Sequence, residues 1–199
     1  MLLLLAFSVS GCPGDATLLK LPPSLERQLT DRGDPILKNA LLANSPLPFA
    51  VIVRFRTPVF PEQAEMLSDA GIPPVETVGK TALIVATARE ISSLIESPAV
   101  EKIRYLGSQA SLARLHPTLE IGLIRIFEEG REKDPIDLLI RFRSPPDARE
   151  ERLLTAARFA IVTRAGIIWT VRGATLDLPA LLTIDEIIYY EAASKTRVM

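Results

Sequence analysis

Arg54-Phe55-Arg56-Thr57-Pro58 returns 87 positions later as Arg141-Phe142-Arg143-Ser144-Pro145. The same offset lays Ser24-Leu25 on Ser111-Leu112, Arg27 on Arg114 and Pro48 on Pro135. It also lays Leu67 on Leu154, Val75 on Val162, Gly79 on Gly166 and Leu94 on Leu181. Towards the end the apolar pattern fits an offset of 84, pairing Val100 with Ile184, Ile103 with Ile187 and Tyr105 with Tyr189. That change implies a deletion of three residues after the last helix. Two copies are too few for a solenoid, which needs three or more. Two tandem domains of about 85 residues fit the chain better.

Each copy carries the same order of periodicities. Asp34-Pro35 opens a helix, with Asp as N-cap and Pro at the first helical position. Ile36, Leu37, Ala40 and Leu41 give that helix one apolar face, and Leu119, Leu123, Ile126 and Phe127 after Thr118 do the same in the second copy. A strand follows, with Val51, Val53 and Phe55 opposed to Ile52, Arg54 and Arg56. Its twin opposes Leu138, Ile140 and Phe142 to Leu139, Arg141 and Arg143. Next come a helix (61–70; 147–158), strands (74–79; 160–165) and (81–87; 167–173), a helix (89–96; 175–182) and a last strand (100–106; 184–190). Gly79-Lys80 and Ala165-Gly166 stand where a hairpin turn needs a permissive backbone. The order predicts an α+β fold of two tandem ferredoxin-like (βαββαβ) domains, each with a preceding helix. Both helices of a unit lie on one sheet face and leave the other face open.

Composition narrows the chemistry. Lys and Arg number 23 against 24 Asp and Glu, for a net charge of −1 and a pI near 6.0. Nucleic acid needs a basic excess and is excluded as the main partner. One Cys allows no internal disulfide, and one His, His116, supports neither a His-rich metal site nor a catalytic triad. No Gly-rich phosphate loop is present. No catalytic residue, metal or cofactor is therefore expected. His116 reads as a loop residue and Trp169 as core.

The first eleven residues form an apolar leader, too short for a membrane-spanning helix of about 20 residues. Val9-Ser10-Gly11-Cys12 follows it and resembles the lipobox of bacterial lipoproteins, in which the Cys becomes the acylated first residue. No Lys or Arg precedes the apolar run. The resemblance implies a signal segment 1–11, lipidation at Cys12, a tether 12–23 and attachment to a membrane of the bacterial envelope. Pro13, in place of an inner-membrane retention Asp, points to the outer membrane facing the periplasm. The competing reading is an ordinary secretory leader with an incidental Cys.

Ile91-x-x-Leu94-x-x-x-Pro98-x-Val100-x-x-Ile103 resembles the end of the inhibitor I9 domain, the propeptide of subtilisin-like serine proteases. The short Ser-Leu-x-Arg helix and Phe49-Ala50-Val51-Ile52-Val53-Arg54-Phe55 resemble its start. The likeness covers 24–107 and recurs more weakly over 111–192, where Leu178-x-x-Leu181 and Ile184-x-x-Ile187 replace the motif. Both copies lack the paired glycines common before the second strand; Gly71 and Arg158 stand there. The family implies a protein that inhibits or chaperones a subtilisin-like protease, docking its open sheet face on the enzyme. Its C-terminal tail would enter the cleft, here 193–199 with Arg197, Val198 and Met199. The expected partner-binding residues are therefore Arg54, Arg56, Arg141 and Arg143 on the sheet faces and Arg197, Val198 and Met199 in the tail. The alternative is a structural or assembly lipoprotein that holds another envelope component.

Overall fold

The computed structural model describes residues 35–42, 48–59, 64, 67, 72 and 74–193. The residues expected to form a leader (1–11) and a tether (12–23), with Cys12, the expected N-cap Asp34, and Arg197, Val198 and Met199 lie outside the described residues. The first unit runs α1 (Pro35–Leu42), β1 (Phe49–Phe55), β2 (Pro74–Val78), β3 (Thr81–Ala86), α2 (Ala88–Glu96) and β4 (Val100–Ser108). Of the helix expected over 61–70, Ala64 and Leu67 are described, and both are helical. A short α3 (Gln109–Leu112) leads into α4 (Pro117–Glu128), β5 (Pro135–Phe142), α5 (Ala148–Ala156), β6 (Ala160–Ala165) and β7 (Ile168–Ala174). A 3-10 turn (Thr175–Asp177), α6 (Leu178–Leu181) and β8 (Ile187–Ala192) close the second unit. The protein is thus mixed α+β, with two four-stranded antiparallel sheets ordered β2-β3-β1-β4 and β6-β7-β5-β8.

Side-chain caps start several of the helices. Thr87 and Glu90 close a capping box on α2, and Asp147 and Glu150 close one on α5. His116, read from the sequence as a loop residue, caps α4: its Nδ1 accepts from the Thr118 N–H at 3.2 Å. The hairpin turns are Gly79-Lys80 and Gly166-Ile167, each glycine at a φ of +58°, so the second turn sits one residue beyond the expected Ala165-Gly166.

The repeat keeps its offset of 87 to the end. Phe55 pairs with Val100 and Phe142 with Ile187, and Val53 pairs with Ile103 as Ile140 does with Tyr190. The deletion of three residues expected before the last strand is therefore absent, and β8 begins at Ile187 rather than 184. The cause is a register shift, at Arg54/Phe55 and again at Arg141/Phe142. Such a bulge breaks the two-residue alternation from which a strand is read.

The layers alternate. Phe49, Val51, Val53 and Phe55 of β1 face inward onto Leu37, Leu41, Leu67, Ile91, Leu94 and Ile95, a closed core with α1 and α2. In the second unit Leu138, Ile140 and Phe142 do the same against α4, α5 and α6. The expectation that each unit leaves its other face open fails for the first sheet. Ala50, Ile52, Leu83 and Leu106 on that face belong to the core of the second unit, together with Leu123 and Phe127 of α4 and Leu182 beyond α6. Helix α4 packs on β1, β2 and β3 with one side and on β8 with the other. Four apolar side chains left on one sheet face must find cover, and α4 is the nearest apolar surface along the chain.

Polar contacts fix this seam. Glu128 Oε2 accepts from the buried Thr81 hydroxyl at 2.6 Å, and Oε1 accepts from the Lys80 N–H at 3.2 Å. Lys102 of β4 pairs with the buried Glu132 and lies 4.7 Å from the Phe127 ring centroid. Burial would raise the Glu132 carboxyl, but the Lys102 hydrogen bond and the nearby cations outweigh it and hold the group below the usual carboxylate range.

A candidate docking face on the second sheet

The outer face of the second sheet is the face equivalent to the one α4 covers, and no described helix packs on it. Its backbone is a regular ladder. Arg141 stands between Ile168 of β7 and Tyr189 of β8, Leu139 between Thr170 and Glu191, and Asp137 beside Arg172. Side-chain alternation puts these residues on the side opposite Leu138, Ile140, Trp169 and Tyr190, which are buried.

The two ends of this face differ. At one end Arg172 holds Asp137 in a two-pronged ion pair at 2.6 and 2.8 Å, so its charge is met within the fold. A cleft of about 440 Å³ beside it includes Arg131 and Asp134, which are also paired to each other. At the turn end the chemistry is unspent. Arg141 and Arg143 are exposed, and neither has a carboxylate within ion-pair distance among the described residues. The Arg141 guanidinium lies 5.8 Å from the Tyr189 ring centroid. Ile168 is 40% exposed, large for an aliphatic side chain on a sheet. Partial desolvation, with Glu191 beside it, holds the Tyr189 phenol above its ordinary value.

The expected site residues therefore separate. Arg141 and Arg143 lie on or next to the bare face. Arg54 is half-buried at the end of the sealed face, 3.6 Å from Glu101, and Arg56 donates from Nε to the Pro98 carbonyl at 2.9 Å. The four arginines do not form one stripe, because the layer containing α4 stands between the two sheets. Ile168 and Tyr189 were missed as site residues. The alternation of β7 and the repeat partner of Tyr189, Lys102, were the signals that could have found them. Trp169 is core, as expected, with its ring set edge-on to Phe142 at 5.1 Å.

No three His, Cys, Asp or Glu side chains gather as metal ligands among the described residues, and no described helix is long and apolar enough to cross a membrane. Compared with protein-family models, curated proteins and solved structures, the chain gave no match in any of the three.

Proposed function

We propose that this chain is a non-catalytic binding protein of the bacterial envelope, anchored by acyl chains on Cys12, that docks a protein partner on the outer face of its second sheet. The fold in this reading is two tandem ferredoxin-like units, supported by the β2-β3-β1-β4 order and its repetition. One observation carries the function: of two equivalent sheet faces, one is sealed by α4, and the other stays bare with Arg141, Tyr189 and Ile168 on it. Arginine, tyrosine and aliphatic side chains together are the composition of a protein interface. The partner that the sequence resemblance favours is a subtilisin-like serine protease, with this chain as inhibitor or chaperone. Strand β8 flanks the bare face and leaves it at the Asp137 end, where the Ala193 N–H donates to Asp137 O at 2.9 Å; the tail with Arg197, Val198 and Met199 is a second contact proposed for the same enzyme.

The test uses the soluble Cys12→Ser chain against a subtilisin-type protease. It should slow proteolysis. Arg141→Glu combined with Ile168→Asp should weaken inhibition about tenfold or more, as loss of a central anchor does, and removal of Arg197 to Met199 should weaken it further. Undiminished proteolysis, with the chain recovered in a complex of other envelope proteins, would transfer the reading to an assembly role. Palmitate labelling that survives Cys12→Ser would remove the anchor.

A further inference from the structure

The sealed face of the first sheet shows what kind of element the bare face accepts. On the first sheet, α4 sets Leu123 and Phe127 against Ile52 and Leu106, and its last residue, Glu128, over the Gly79-Lys80 turn. The fit there is close: a Cβ at Gly79 would stand 2.7 Å from Glu128 Oε1. A carboxylate at a helix C-terminus opposes the helix dipole, so Glu128 is held by its bonds to the turn and to Thr81. The second sheet repeats the turn of the receiving half, but Ile168 stands where Thr81 does, so the turn amide is repeated and the hydroxyl donor is not. Gly166 has the same φ of +58°, and Phe142 N–H donates to Ile167 O at 2.8 Å as Phe55 N–H donates to Lys80 O at 2.7 Å. The Ile167 N–H thus stands where the Lys80 N–H does. Leu139 replaces Ile52, and Arg141 replaces Arg54. The space over this turn is open among the described residues: a Cβ at Gly166 would meet nothing within 4 Å.

From this the geometry points to a receptor for an amphipathic helix of a partner protein, with two apolar residues four apart and a carboxylate directly after the second. The inference rests on the reading that a protein docks on this face, and it names the element that docks. Charge complementarity selects the acid, because Arg141 and Arg143 have no carboxylate at ion-pair distance among the described residues. A second copy of this chain does not supply it. Its α1, the repeat counterpart of α4, has Leu41 where α4 has Glu128, and its α4 is already enclosed. Thr170, Arg172 and Asp137 in place of Leu83, Val85 and Ala50 make the far end of the face polar. The docked helix therefore grips at the turn end and is released readily, unlike the tethered α4.

The experiment titrates the isotope-labelled full chain with a synthetic peptide of this chain's own 117–130 sequence and follows amide resonances. Shifts are expected at Leu139, Arg141, Gly166, Ile167, Ile168 and Tyr189. An E128Q peptide should bind about tenfold more weakly or worse, as should the peptide on the Arg141→Glu chain. Gly166→Asn tolerates the left-handed turn but fills the space over it, so it should keep the folded spectrum and lose the peptide. Equal binding of the Glu and Gln peptides, or no shifts at those residues, overturns the inference. So do the same shifts on concentrating the chain alone, which would make a second copy the occupant. A protease complex sensitive to Arg141→Glu, with no peptide binding, removes the helix but spares the docking face. Peptide binding without a protease complex keeps the helix and removes the protease.

Discussion

Arg114 follows α3, and its guanidinium fork reaches three backbone carbonyls at once: Ile184 at 3.0 Å, Ile187 at 2.8 Å, and Leu182. It also lies 5.6 Å from the Tyr190 ring centroid and 3.3 Å from Ser111 Oγ. These carbonyls belong to the irregular passage from α6 into β8, whose orphan acceptors no regular ladder satisfies. Next to Arg114 the chain pairs with the edge of β8, the His116 N–H donating to Tyr190 O at 2.8 Å. One side chain thereby ties the start of the second unit to its end. Lys cannot replace it, because a single ammonium does not span three acceptors with a planar fork. Arg114→Lys should cost about 1.5–3 kcal/mol of stability, the scale of hydrogen bonds to a charged group. Urea unfolding of the full chain reads the loss. An unchanged midpoint would mean that water satisfies those carbonyls equally well.

Among the elements, α5 ends under strain. Arg158 takes a φ of +62° directly after the Ala157 C-cap, a position where glycine is the ordinary residue. Its ion pair with Asp177 at 3.5 Å is exposed and worth little. Arg158→Gly should therefore stabilise the protein by about 1 kcal/mol, the left-handed penalty less the added chain entropy of glycine. A rise of a few degrees in the melting midpoint is the expected reading, and a fall would show that the Asp177 pair outweighs the strain. The repeat made this legible in advance, since Gly71 holds the matching place in the first unit. Strand faces in β1 and β5 and the Gly79-Lys80 turn were legible for the same reason: each is a local pattern with a local cause. The last strand was not. Its bulge interrupts the alternation, and Ile184 and Ile187 mimic Val100 and Ile103 three residues out of register. Of the candidate site, Arg141 and Arg143 were legible on their strand. The separation of Arg54 from them was not, because alternation along a strand cannot tell which face another layer will cover.

At the scale of the whole chain, the repeat is not two independent domains in a row. Helix α4 packs on β1, β2 and β3 of the first sheet and on β8 of the second, and its buried Leu119, Leu123, Ile124 and Phe127 belong to one core with residues of both sheets, so one helix is shared by two sheets. The outermost surfaces are changed to match. Where the sealed first sheet has Ala50, Leu83 and Val85, the bare second sheet has Asp137, Thr170 and Arg172. Where the second helical layer meets the first sheet with Leu176 and Pro179, the first layer has Arg89 and Ser92. Polar end layers around an apolar middle stop a stack from growing, as capping repeats do in longer arrays. Energetically the seam binds the units into one folding unit, because separating them exposes Ala50, Ile52, Leu83 and Leu106 and strips the buried Thr81 hydroxyl of its acceptor. Ile52, Leu83 and Leu106, re-exposed at about 1.5–3 kcal/mol each, are comparable to the entire stability of a small domain. The full chain should therefore unfold in one transition by circular dichroism and by Trp169 fluorescence alike, although Trp169 reports only the second unit. A chain ending at Ser108 should bind a hydrophobic dye and melt at least ten degrees lower, or without cooperativity. Two separate transitions in the full chain, or a first unit as stable alone as in the whole, would show that the seam is mere contact and that the bare face belongs to a freely moving domain.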